Sequence, residues 1–194
     1  MHTVTTDIDL SIYEQYTRLR FEQPADADGV LLITLDDPEK YNATDGAMHL
    51  QLSRVFRTID DDESVRAVIV TGAGKAFSAG GDLDWISEQV GDYAQTIRVM
   101  REAGDIVRTM IDCDTPIVSA INGVAVGAGL PVPLTADVII INQTANFTHG
   151  HTRLGVCAAH PSVPTWPLLC WLPKAKSYLP HPDFLAGPEA ERIA

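Results

Sequence analysis

Basic residues are scarce in this chain of 194 residues: 14 Lys and Arg stand against 26 Asp and Glu, a formal net charge of −12. That balance, with a pI near 4.7, excludes the basic footprint that nucleic-acid binding needs. Cysteine is also rare: Cys113, Cys157 and Cys170 are odd in number and lack C-x-x-C spacing. This excludes a disulfide framework and predicts buried, reduced thiols in a cytoplasmic protein. The first residues, Met1 to Asp9, carry no signal-peptide pattern. The longest charge-free run, 115–136, has G-x-x-x-G spacing at Gly123 and Gly127. Asn122, Ser119, Pro131 and Pro133 interrupt it, which predicts a buried strand-turn-helix unit and no membrane span.

What is present is a globular composition, 45% hydrophobic and 21% charged. Val30–Leu35 reads as a strand closed by the turn Asp36-Asp37-Pro38. A short strand is expected around 17–21. Met48, Leu52, Val55, Phe56 and Ile59 form a helical stripe, with Thr44 or Asp45 as its cap. Val65–Val70 reads as a buried strand leading into T-G-A-G-K-A-F-S-A-G-G-D-L-D-W, which ends in a helix start at Asp82. Tyr93, Ile97, Met100, Gly104, Val107 and Ile111 predict an amphipathic helix of about five turns. Ile117–Ile121, Val138–Ile141 and Ala145–Phe147 complete the expected strands. Alternating strands and helices imply an α/β fold built from βαβ units.

After Cys157 the pattern breaks. Seven of the 12 prolines fall between Pro161 and Pro188, so 161–182 is not expected to form one continuous helix. The expected organisation is a core over 1–160 and a Pro-rich, incomplete C-terminal segment over 161–194. Trp166, Leu168, Leu169, Trp171 and Leu172 lack a periodic partner there, and an exposed apolar patch is expected.

Three segments in order, D-D-P-E-K-Y-N-A at 36–43, K-A-F-S-A-G-G-D-L at 75–83 and P-I-V-S-A-I-N-G-V-A-V-G-A-G-L at 116–130, resemble the crotonase superfamily of enoyl-CoA hydratases and isomerases. The likeness covers roughly residues 30 to 155. It implies the ClpP/crotonase spiral of ββα units, with the C-terminal helical region truncated or remodelled. It also implies an acyl-CoA thioester as substrate, no cofactor and a homo-oligomer (trimer or hexamer). An oxyanion hole of two backbone amides would hold the thioester oxygen as it becomes an enolate. By motif position those amides belong to Gly81 and Ala128, with Lys40, Ala79, Gly80, Asp82, Gly127 and Pro131 around the substrate. Because coenzyme A is an anion, local cations such as Lys40, Lys75 and Arg153 must offset the acidic whole.

The family's two water-handling glutamates are missing. Their places fall at Pro131 and His151, and proline transfers no proton. His151 is a candidate general base, with His160 as a further catalytic candidate; a histidine at a surface turn is the bland alternative. A β-diketone hydrolase branch resembles this chain at His151 and Trp166-Pro167, but His160 stands where that branch has an aspartate. Without that carboxylate the tautomer of His151 is expected to be uncontrolled. A third reading is a catalytically silent member that binds without turnover. His149, His151 and His160 form too loose a pattern to assign a metal.

Overall fold

The computed structural model describes residues 7–157, 162–181 and 183–193. Its elements are β1 (Leu19–Glu22), β2 (Val30–Leu35), α1 (Gly46–Asp60), β3 (Ala67–Gly72), β4 (Ala76–Ser78), α2 (Leu83–Glu88), α3 (Tyr93–Ile111), β5 (Ile117–Ile121), β6 (Val124–Val126), α4 (Pro131–Thr135), β7 (Val138–Ile141), β8 (Asn146–Thr148), α5 (Ser162–Tyr178), β9 (Leu185–Ala186) and α6 (Gly187–Ile193). They form two sheets, ordered β1-β2-β3-β5-β7 and β4-β6-β8-β9.

The chain climbs by repetition. A long strand of the first sheet (β3, β5, β7) runs into a short strand of the second (β4, β6, β8), then into a turn and helical residues. Pairing within each set is parallel. The ends of β4, β6 and β8 therefore deliver three successive turns side by side, which is the architecture implied by the ββα spiral.

The Val- and Ile-rich strands β2 and β3 lie at the centre of the first sheet, with Leu31, Ile33, Val68 and Val70 buried. α1 covers them through Met48, Leu52, Val55, Phe56 and Ile59, the predicted stripe, and the Asp45 side chain caps it by accepting from the Met48 amide. The predicted strand at 65–70 sits two residues later, because the turn into it ends only after Val65. The strands foreseen at 17–21 and 145–147 run over 19–22 and 146–148.

α3 has the predicted span but buries a different face. Val99, Ala103, Ile106 and Met110 are buried together with Gly104 and Val107, whereas Tyr93, Met100 and Ile111 are exposed. The buried stripe is thus turned from the predicted one and shares Gly104 and Val107 with it.

α5 is two helical runs. Cys170 and Trp171 have non-helical angles between them, and Trp171 takes φ 64° and ψ 150°. Trp166, expected to be exposed, is buried against Phe147 and Tyr178; Leu168, Trp171 and Leu172 are exposed as expected. β9 then adds antiparallel to β8, so the C-terminal segment contributes to the second sheet. Of the thiols, only Cys170 is buried; Cys157 is exposed and Cys113 half-buried. Among the described residues no helix is long and apolar enough to cross a membrane.

Candidate active site

The first turn is built at the end of β4. Gly80 takes φ +97°, and a Cβ there would meet the Val126 carbonyl at 2.9 Å, a position only glycine fills without strain. Gly80 and Asp82 bracket a parallel bridge between Thr44 and Gly81: the Thr44 amide donates to the Gly80 carbonyl and the Asp82 amide donates to the Thr44 carbonyl. Successive peptide groups alternate direction along an extended chain, so the Gly81 N–H faces away from Thr44. Asp82 then caps α2, accepting from the amides of Asp84 and Trp85. Those bonds, and the Lys40 ammonium 3.1 Å away, hold its carboxyl below the usual carboxylate range.

The second turn follows β6. Gly127 takes φ +47° and opens a short 3-10 turn, Gly127–Gly129, whose early amides precede the first intrahelical bond. The two turns meet: a Cβ built on Gly81 would stand 3.8 Å from the Ala128 Cβ. Gly81 and Ala128 are both partly accessible. The two turns that carry the Gly81 and Ala128 amides are thus neighbours at an accessible surface.

Two buried polar residues lock this arrangement. Ser78, fully buried, donates its hydroxyl to the Asn42 carbonyl at 2.7 Å and accepts from the Gly80 amide at 3.2 Å. Asn42, also fully buried, donates from Nδ2 to the carbonyls of Ala73 and Ala76, both at 2.9 Å. The Ala79 amide donates to the Tyr41 carbonyl. The D-D-P-E-K-Y-N-A turn is thus a brace under the first glycine turn. Sequence reasoning did not assign Ser78 or Asn42; for Ser78, a short polar residue inside an apolar, glycine-rich run was the available signal.

The third turn carries the titratable groups. His151 opens the 3-10 turn His151–Leu154 beyond β8, and a Cβ on Gly127 would stand 3.6 Å from its Cε1. His151 Nδ1 lies 2.8 Å from the His149 carbonyl. A carbonyl only accepts, so Nδ1 carries a proton, and in the neutral ring Nε2 is the nitrogen with the lone pair. In place of the carboxylate whose loss was expected to free the tautomer, a main-chain oxygen contacts Nδ1. His149 itself is buried, and its ring stacks on His151 with centroids 4.0 Å apart and planes 26° apart. Burial, with His151 as neighbour, pushes its pKa down to about 4. Stacked rings do not converge their nitrogens on an ion, and no three metal-type ligands come together among the described residues.

Pro131 is buried at the first position of α4, directly beyond the second turn. Lys40 is exposed and paired with Asp82. Arg153 lies over the Phe184 ring, 5.0 Å from its centroid. His160 lies outside the described residues.

Comparison with known proteins gives one consistent result. Residues 25–176 match the family model described as enoyl-CoA hydratase/isomerase. A probable enoyl-CoA hydratase of Mycobacterium tuberculosis is 42% identical over 132 residues, 68% of this chain and 50% of that protein. The 1,2-epoxyphenylacetyl-CoA isomerase of Escherichia coli is 34% identical over 130 residues, 66% of this chain and 50% of that one. The crystal structure of an enoyl-CoA hydratase/isomerase from Mycobacterium paratuberculosis superposes with a TM-score of 0.85 at 32% identity, covering 91% of this chain and 70% of that chain. The chain spans about half the length of the curated relatives it matches.

Proposed function

This chain belongs to the enoyl-CoA hydratase/isomerase family, and from that premise we propose that it moves a proton at the α-carbon of an acyl-CoA thioester, as an isomerase-type enzyme with one base. The amides of Gly81 and Ala128 receive the thioester oxygen. Nε2 of His151 takes the α-proton, the C–H electron pair moves into the enolate, and the imidazolium returns the proton to the same or the vinylogous carbon. The step balances without an oxidant, reductant or group donor, so the reading includes no cofactor. Pro131 leaves the hydratase route without its first carboxylate, whereas a proton shift needs a single base. The observation that carries this reading is the Nδ1 contact of His151 with the His149 carbonyl, in a ring whose Cε1 edge lies beside the second glycine turn.

Lys40, Lys75 and Arg153 are the cations this reading assigns to the coenzyme A phosphates, and Ala79, Gly80, Asp82 and Gly127 shape the floor of the site. We place the protein in the cytoplasm, as a homo-oligomer. The test is exchange of α-hydrogens of butyryl-CoA with deuterated water, followed by mass spectrometry. His151→Gln is expected to slow exchange about 10²- to 10⁴-fold, the usual worth of a general base. Exchange unchanged in that variant, or cleavage of a β-diketone by the wild type without α-exchange, overturns the proposal.

A further inference from the structure

His149 takes no part in the proton shift, yet it is only 2% exposed and, among the described residues, neither ring nitrogen has a hydrogen-bond partner. Buried polar atoms are nearly always bonded, so two orphaned nitrogens on one ring beside the proposed base need a reason. His149 makes three contacts with His151, one of them the His151 amide donating to the His149 carbonyl at 2.9 Å. Its carbonyl accepts from Nδ1 at 2.8 Å, and its ring stacks on the imidazole at 4.0 Å. The hydrogen bond selects a tautomer but leaves the ring free to swing, because the second torsion of histidine is broad. A stacked, immobile ring removes that freedom.

We infer that His149 is the positioning residue of this site, its carbonyl fixing the tautomer of His151 and its ring fixing the plane in which Nε2 meets the α-carbon. The inference rests on the reading of His151 as base. It accounts for the burial of His149: only a ring held by the core is a fixed wall for its neighbour. It also accounts for its lack of charge, since two imidazolium ions at that separation would repel.

The test compares His149→Phe, His149→Leu and His149→Ala with the wild type and His151→Gln. The readouts are α-hydrogen exchange of butyryl-CoA and the ¹⁵N resonances of His151, which report the protonated nitrogen. His149→Phe, which keeps a planar ring, is expected to retain kcat within about 3-fold. His149→Ala and the space-filling His149→Leu are expected to lose about 10- to 100-fold in kcat with KM little changed, the usual consequence of sub-ångström to ångström misplacement. Both should show a new population protonated at Nε2. Wild-type kcat and an unmixed Nδ1–H signal in His149→Leu overturn the inference, as does an equal loss in the Phe and Leu variants. Exchange unaffected by His151→Gln strikes the base assignment instead, and the ¹⁵N signals then still decide whether the His149 ring holds His151 against its carbonyl.

Discussion

Gly129→Ala puts the pairing of the two glycine turns to a direct test. A Cβ on Gly129 would stand 2.5 Å from both Cβ and Oγ of Ser78, and ordinary contact begins near 3.4 Å. The turns must therefore separate by about 0.9 Å. Ser78 cannot swing away, because it is fully buried and its hydroxyl is bonded to Asn42 and Gly80. Overpacking of a core costs about 1–3 kcal/mol, and loosening two hydrogen bonds adds about 1 kcal/mol. The sum, about 2–4 kcal/mol, corresponds to roughly 5–15 °C in Tm for a chain of this size. A shift of that length between the two amides should lower kcat for α-hydrogen exchange about 10²-fold. Ser78→Gly removes both atoms in the clash, so Gly129→Ala with Ser78→Gly should be more stable than the two single effects predict, by at least about 1 kcal/mol. Thermal melts and exchange rates of the four proteins give the answer. A Gly129→Ala protein with wild-type Tm and wild-type kcat refutes the reasoning.

Three further outcomes follow. Burial, then His151, depresses the His149 pKa from 6.5 to about 4, so the unfolded chain binds the extra proton between those values. Its contribution to stability is complete above pH 6.5 and is lost as pH falls toward 4, about 3 kcal/mol at 1.36 kcal/mol per unit; melts of the wild type should show this acid slope, and His149→Phe should flatten it. Trp171→Gly should raise Tm by roughly 2–4 °C, since φ 64° and ψ 150° are glycine angles costing about 1–3 kcal/mol, of which about 1 kcal/mol remains after glycine's extra chain entropy, and the side chain is exposed; a lower Tm contradicts this. Hydration of crotonyl-CoA, followed by absorbance, should stay well below the enzyme median of about 10 s⁻¹, because Pro131 supplies no proton.

The long strands were legible because runs such as Val30–Leu35 and Val138–Ile141 are dense in branched residues between turn signals. The three-residue strands β4 and β6 were not, since Ala76–Ser78 and Val124–Val126 are too short for any period. The buried face of α3 was placed only in part: Gly104 and Val107 lie on it as expected, but Val99, Ala103, Ile106 and Met110, equally apolar in sequence, take the places of Met100 and Ile111. Gly81 and Ala128 could be picked out by motif, and the turns that carry them are neighbours. The orientation of His151 could not, because a carbonyl acceptor exists at every residue and leaves no mark in the sequence. Ser78 and Asn42 were hidden for the opposite reason: their side chains are distinctive, but their partners are distant main-chain groups.

The central claim is that the Gly81 and Ala128 amides act together on a thioester oxygen. The most direct measurement is the infrared stretch of the carbonyl in [1-¹³C]butyryl-CoA bound to the protein. Two aligned N–H donors polarise the bond, so the account predicts a band displaced to lower frequency than in water, narrowed by the fixed environment, and shifted back toward the water value in Gly129→Ala. A bound thioester whose carbonyl band matches that of free butyryl-CoA in water would contradict it.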